Sequence, residues 1–196
     1  MNPIVRREAL RRTSLLMGGA VSAPALAGIL QGCTPSRDVN WIPKFLSKEQ
    51  AVLTGEIANR IIPSTETPGA LDVGVDQFID LIVAEAYPEE DQKLFLNGLE
   101  EVEAQSKEVG GKSFVKLTPE QQDEVLQKFQ DAAFDAQEKG MDNQHFFYRL
   151  KELTLLGYFT SEEGMQQNLD YTPVPGKHEG CISLEPDDKL QAGNHI

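Results

Sequence analysis

Apolar residues recur at helical spacing through most of residues 47–167. They form five blocks with the i, i+3, i+4 pattern of one helix face, each bounded by turn or capping residues. Ser47 with Gln50, and Thr118 with Gln121, match the capping box that opens many helices. The period-2 alternation typical of strands is confined to short fragments. The pattern predicts an all-α protein: a single domain of about five helices.

The second, third and fifth of these helices are expected at about 75–87, 89–108 and 143–159. The fifth is the most hydrophobic, because its apolar residues cover more than one side of the cylinder. A helix of this kind is usually buried on two sides. Its apolar residues are Phe146, Phe147, Leu150, Leu153, Leu155 and Leu156. We therefore expect this helix at the centre of the core.

Two segments outside the helical domain lack a helical period. Residues 34–46 are predicted to be a tether whose apolar residues dock onto the core; these are Trp41, Ile42, Phe45 and Leu46. Residues 168–196 contain several prolines and glycines and are predicted to form an irregular C-terminal arm. A long segment of this kind often lies on another surface.

Residues 1–33 have the features of an export signal. Arg6 and Arg7 are adjacent and are followed by a moderately apolar stretch rich in Gly and Ala. The arginine pair resembles the twin-arginine consensus, and the sequence Leu-Gln-Gly-Cys ending at Cys33 resembles a lipobox. We expect a periplasmic protein exported by the twin-arginine route and lipid-anchored at Cys33. The alternative is a basic amphipathic helix with an incidental cysteine.

The charge of the chain limits which classes of molecule it can bind. Its formal net charge is −13, and the export signal is itself basic, so the remainder is more acidic still. Such a surface repels phosphate backbones and anionic lipid headgroups, and the sequence has no basic stripe. Nucleic-acid binding is excluded on these grounds. Beyond residue 33 no apolar run approaches the roughly 20 residues of a spanning helix, so we expect membrane contact only through the anchor.

The sequence offers little catalytic chemistry. It has no Gly-rich dinucleotide fingerprint and no Cys-x-x-Cys-His haem motif. His178 and Cys181 could form half of a metal site, but a second pair is missing. Asp72, Asp76 and Asp80 lack a partnering base and are better explained as an acidic face at a helix start. We therefore predict no catalytic, cofactor-binding or metal-binding residue on this chain.

Cys181 is the thiol that remains once Cys33 carries lipid. An odd cysteine in an exported protein suggests pairing with another chain. A free thiol, buried or partly exposed, is the other interpretation, and the sequence leaves both open.

Two stretches together resemble the gluconate 2-dehydrogenase subunit 3 family. The first is Ile-Ile-Pro-Ser-Thr-Glu-Thr-Pro-Gly-Ala at 61–70, followed by Gly74-Val75 and Phe-Ile-Asp at 78–80. The second is Leu-Leu-Gly-Tyr-Phe-Thr-Ser-Glu at 155–162, followed by the Gly, Tyr, Val-Pro-Gly and Gly-Cys positions up to 181. The resemblance covers most of residues 45–181.

Members of that family are small subunits of periplasmic sugar dehydrogenases. The resemblance implies a large partner subunit of the glucose–methanol–choline flavoprotein type that holds FAD, often together with a c-type cytochrome that carries haem. It implies that this chain is a non-catalytic subunit that exports, stabilises and anchors an FAD-dependent sugar or gluconate dehydrogenase. No cofactor is expected on the chain itself.

The predicted contact surface for the partner combines the loop 63–74 with residues 157–181. Both are turn-rich and carry more Gly, Pro and aromatic residues than a solvated loop requires. The predicted contact residues are Thr65, Pro68, Gly69, Tyr158, Phe159, Tyr171, Pro175 and Cys181. Two alternatives remain at this point: an autonomous envelope lipoprotein that binds a small ligand, and an enzyme that uses scattered acids.

Overall fold

A computed structural model describes residues 39–140 and 145–172, together with 174, 181, 183, 189, 191 and 192. The described residues form six α-helices, a 3-10 turn at Phe114–Lys116 and two very short strands. The helices are α1 (Lys48–Ile61), α2 (Val75–Ala86), α3 (Glu89–Gly110), α4 (Pro119–Glu138), α5 (Phe146–Phe159) and α6 (Glu162–Asn168). The strands β1 (Asp170–Tyr171) and β2 (Gln191–Ala192) pair in parallel. The predicted all-α fold is confirmed, with α6 as a further short helix.

The helix starts follow from local side-chain chemistry. Ser47 Oγ accepts from Gln50 N, and Gln50 Oε1 accepts from Ser47 N, at 3.2 and 2.9 Å. Thr118 and Gln121 form the same reciprocal pair ahead of α4, which has proline at its first position. Each box satisfies two of the backbone N–H groups that a helix start leaves without partners. Both predicted capping boxes are confirmed.

Helix α5 lies at the centre of the core and packs against α1, α2, α3 and α4. Leu150 is fully buried, and the Phe146 ring meets the Phe95 ring edge-on with centroids 5.2 Å apart. Gly98 of α3 makes room for Phe146, because a Cβ atom there would lie 1.9 Å from Phe146 Cγ. The central position predicted for this helix is confirmed.

The segment before α1 is held down by one carboxylate of α2. Asp80 is 1% exposed and accepts hydrogen bonds from the backbone N–H groups of Lys44, Phe45 and Leu46, at 2.7 to 3.2 Å. Three donors offset the cost of burying a charge. Leu46 is buried, and Trp41 and Phe45 pack against the core. Ile42 is 90% exposed, so the expectation that it docks onto the core was wrong.

The three aspartates at four-residue spacing do not form an exposed acidic face. Asp76 and Asp80 are both buried, and Asp72 accepts a hydrogen bond from Gly69 N at 2.7 Å. Two of these carboxylates therefore hold neighbouring backbone in place. This corrects the interpretation based on the helix dipole alone.

Candidate partner-binding surface

The loop between α1 and α2 is folded tightly on itself. Ala70 N donates to Ile62 O at 2.9 Å, and Thr65 N donates to Thr67 O at 3.0 Å. Gly69 packs against the backbone of residues 62–64 at the start of the loop, where a Cβ atom would be 2.5 Å from Ser64 N. All of its nearest neighbours are backbone atoms, which cannot swing aside, so the loop requires glycine at this position.

Tyr158 joins this loop to the end of α5. Its hydroxyl donates to Pro68 O at 2.7 Å and accepts from Asn168 Nδ2 at 2.9 Å. The side chain is 2% exposed. One phenol therefore connects the loop, α5 and the last residue of α6. The structure thus brings the loop together with Tyr158 and Asn168 of the second predicted segment. Residues 173 and 175–180 of that segment lie outside the described residues.

Two glycines let the surrounding elements approach this end of α5. Gly157 faces the Phe78 ring of α2, and a Cβ atom there would lie 2.6 Å from Phe78 Cδ1. Gly164 of α6 lies against Tyr158 O, at 2.1 Å from the position of a Cβ atom. Ser161 caps α6: its Oγ accepts from Gly164 N at 3.1 Å and donates to Tyr158 O. The end of α5 is thus a fixed platform.

The last turn of α5 leaves three apolar side chains exposed: Leu155, Leu156 and Phe159, at 39, 49 and 37%. We call these three residues the α5 patch. The Phe159 ring rests against the Tyr158 ring, with centroids 5.2 Å apart and planes at 88°. Leu81 of α2 and Tyr171 of β1 are also exposed large apolar residues on elements near this end. Groups of exposed apolar side chains of this kind often mark interaction sites.

The segments that contain or pack against the end of α5 are acidic. Residues 61–92 and 152–176 contain no lysine or arginine. Their exposed carboxylates include those of Glu66, Glu152, Glu162, Glu163 and Asp170. Among the described residues none of these five forms an ion pair. One cation does reach α6 from the arm, where Lys189 Nζ donates to Gln167 O at 2.7 Å.

The structure places the predicted contact residues in two groups. Thr65, Phe159, Tyr171 and Cys181 are exposed, and Pro68 is half-buried. Gly69 and Tyr158 are buried within the chain itself, so they shape the surface without offering a side chain to a partner. For those two residues the expectation of direct contact is corrected. Pro175, the export-signal residues Arg6 and Arg7, and Cys33 lie outside the described residues.

Leu155, Leu156 and Leu81 are surface residues that the sequence analysis missed. The first two were assigned to the core because the apolar positions of α5 lie on more than one side of the helix. Leu150, Leu153, Thr154, Gly157 and Tyr158 form its buried face. Leu155, Leu156 and Phe159 follow a different stripe, at i, i+1 and i+4. A helical wheel centred on Gly157 and Tyr158 could have separated the two faces.

Other chemistry is sparse in the part of the chain that the structure describes. No three His, Cys, Asp or Glu side chains gather there in a metal-binding arrangement. No helix among those residues is long and apolar enough to cross a membrane. His145 precedes α5, and burial lowers its pKa from the usual 6.5 while Glu101 acts in the opposite direction. Its Nδ1 finds no hydrogen-bond partner among the described residues.

The fold and this surface define a small helical protein in which three exposed apolar residues lie on the last turn of α5, next to the capped start of α6. The family model for gluconate 2-dehydrogenase subunit 3 matches residues 48–176, more than half of the chain. The chain belongs to this family, and the resemblance stated from its sequence is confirmed. No curated protein and no solved structure matches the chain.

Proposed function

We propose that this chain is the non-catalytic small subunit of an FAD-dependent sugar or gluconate dehydrogenase, and that it exports, stabilises and anchors the catalytic subunit. The family match over residues 48–176 carries the proposal. The partner is a flavoprotein of the glucose–methanol–choline type, with a c-type cytochrome as a further subunit. FAD and haem belong to those partners.

The structure supports a role in assembly. The backbone at the end of α5 is positioned by the hydrogen bond from Tyr158 to Pro68 O, by the close approach of Phe78 at Gly157 and by the capped start of α6. A preformed surface binds at a lower entropic cost than a flexible one. The α5 patch is therefore a suitable contact for the catalytic subunit.

Export and anchoring rest on the N-terminal sequence. The twin-arginine route carries folded proteins, so a partner bound before export can cross together with this chain. Arg6 and Arg7 supply the export signal, and Cys33 supplies the lipid attachment site. The complex is then periplasmic and held at a membrane by this subunit alone.

Affinity purification of the chain from solubilised membranes tests the proposal. We expect a flavoprotein to co-purify, recognised by the FAD absorbance of the eluate, with haem absorbance if the cytochrome is retained. Recovery of this chain alone would overturn the proposal. Sugar oxidation by the purified chain without a partner would overturn it in favour of an enzyme.

Two paired substitutions test the export and anchoring steps. Arg6→Lys with Arg7→Lys should leave both subunits in the cytoplasm, whereas Arg11→Lys with Arg12→Lys should not. Cys33→Ala should release the complex from the membrane fraction, whereas Cys181→Ala should leave it membrane-bound. If Arg6→Lys with Arg7→Lys still reaches the periplasm, the export step is contradicted. If the Cys33→Ala complex stays in the membrane fraction, the anchoring step is contradicted.

A further inference from the structure

The surroundings of the α5 patch restrict what can cover it. Glu152 lies on the same helix, and Glu162 and Glu163 form the exposed first turn of α6 directly after it. No lysine or arginine occurs in residues 152–176 or in the loop 63–74, which Tyr158 ties to the end of α5. Two lysines also lie near the patch: Lys151, four residues before Leu155, donates to Gln130 Oε1, and Lys189 donates to Gln167 O. The exposed carboxylates that flank the patch outnumber these lysines, so its surroundings are predominantly negative.

A second copy of this chain is a poor occupant. A two-fold interface places the same surface on both sides, so the carboxylates of one copy would face those of the other. Like charges brought together in this way oppose binding. An anionic lipid surface is disfavoured for the same reason.

A protein with the opposite rim charge fits both parts of the surface. Leu155, Leu156 and Phe159 supply the apolar centre that interfaces bury. The packing of Phe159 on Tyr158 limits the conformational entropy that its burial would cost. Lysine and arginine side chains around an apolar depression would pair with the glutamates at the rim, steering encounter and fixing orientation.

We propose that the catalytic subunit binds the α5 patch through an apolar depression bordered by lysine and arginine side chains. This inference rests on the proposed function, because it takes the catalytic subunit as the partner. It adds the site on this chain and the chemistry of the opposing surface. Glu162 and Glu163 provide the clearest test, since both are exposed and lie in the first turn of α6, directly after the α5 patch.

Charge reversal with a matched control provides the test. The variant is Glu162→Lys with Glu163→Lys, and the control is Glu89→Lys with Glu90→Lys. Both pairs are exposed glutamates in the first turn of a helix, so the net-charge change is the same and both variants lose a favourable interaction with the helix dipole. The control also loses the exposed ion pair between Glu89 and Lys93, which contributes little to stability. The control pair lies at the start of α3, whose Asp91 contacts Arg149 near the other end of α5.

Binding of the full mature chain to the purified catalytic subunit is measured at about 50 and about 500 mM NaCl, with circular dichroism to confirm folding. We expect the wild type to bind more weakly at high salt. The Glu162/Glu163 variant should bind about ten-fold more weakly at low salt, with a flatter salt dependence, while the control retains wild-type affinity.

The outcomes separate the two proposals. If the wild type does not bind the catalytic subunit, the proposed function fails. If it binds and the Glu162/Glu163 variant binds equally well, or if both variants weaken equally, the assignment of this surface fails and the proposed function stands. Self-association of the wild type that a Leu156→Ser substitution abolishes would make a second copy the occupant and overturn the inference.

Discussion

The first turns of α5 are covered by other residues of this chain, whereas its last turn leaves apolar side chains exposed. At the first end Phe146 packs on Phe95, and Arg149 pairs with Asp91 at 2.7 Å while its guanidinium lies 5.4 Å from the centre of the Tyr87 ring. At the last end the α5 patch is surrounded by carboxylates without a paired cation among the described residues.

The difference shows how one apolar helix serves two purposes. Where an arginine and a facing aspartate are present, the chain covers its own surface and gains stability. Where such a pair is missing, the same kind of side chain stays exposed, and we propose that another molecule buries it. The two ends should therefore respond differently to substitution: changes at the first end affect folding, and changes at the last end affect binding.

Gly98→Ala should give the largest loss of stability. The new Cβ atom would lie 1.9 Å from Phe146 Cγ and 2.5 Å from Phe146 Cβ, which is fixed to the backbone of α5. Overpacking of this kind costs about 1–3 kcal/mol. The free energy of unfolding, measured by urea titration, should fall accordingly.

Gly157→Ala is the matched change at the last end of α5. The three atoms nearest to its Cβ atom would all belong to the ring of Phe78, which is half-buried and can shift. The loss of stability should therefore be smaller than for Gly98→Ala. Equal losses of stability in the two variants would contradict the distinction between the covered first turns of α5 and its exposed last turn.

Tyr158→Phe should give an intermediate loss of about 1–2 kcal/mol in the free energy of unfolding. The substitution leaves Pro68 O and Asn168 Nδ2 without their shared partner. Amide hydrogen exchange in the loop 63–74 should accelerate as well, because the loop loses its tie to α5. Tyr171→Phe, at an exposed position, serves as the control. Unchanged loop exchange in Tyr158→Phe would show that the hydroxyl is not what holds the loop.

Leu156→Ser should change stability by no more than about 0.5 kcal/mol, because the residue is about half exposed. Its effect should appear in binding, as an approximately ten-fold loss of affinity for the catalytic subunit. Phe134→Ser removes an exposed apolar residue from α4 and should alter neither property. If both variants bind as the wild type does, the α5 patch is not part of the interface.

The pH dependence at the first end of α5 should give the smallest effect. Burial lowers the pKa of His145 below 6.5, so the unfolded chain takes up a proton more readily than the folded chain. This contribution to stability is complete above pH 6.5 and declines as the pH falls below that value. Urea titrations at about pH 7 and about pH 5 should show a smaller loss for His145→Gln than for the wild type. An identical loss would rule out this contribution.

The local features of the fold could be predicted from the sequence because they depend on neighbouring residues. The capping boxes at Ser47 and Thr118 involve residues three positions apart, and both were found. The buried role of Asp80 could not be found in this way, since its donors lie 34 to 36 residues earlier in the chain. A carboxylate at a helix start has the same sequence pattern whether it faces water or a backbone segment.

The candidate surface could be predicted in outline only. Turn-forming and aromatic residues marked the loop 63–74 and the segment after Gly157, and the structure brings these regions together. Periodicity could not show which stripe of α5 remains exposed, because its apolar positions lie on more than one side of the helix. The burial of Tyr158 could not be predicted for a different reason: its partner Pro68 is 90 residues away, and no local pattern records that contact.

The hydrogen bond between Tyr158 and Pro68 also determines when, during synthesis and folding, the surface can form. Because its two ends are separated by 90 residues, the loop can be fixed beside α5 only after the chain has been synthesised through Tyr158 and has closed this long loop. Until then the loop is not held beside the α5 patch. Under the proposed function, a catalytic subunit that contacts both would bind only chains in which this bond has formed, so complex formation would depend on completed folding of the small subunit.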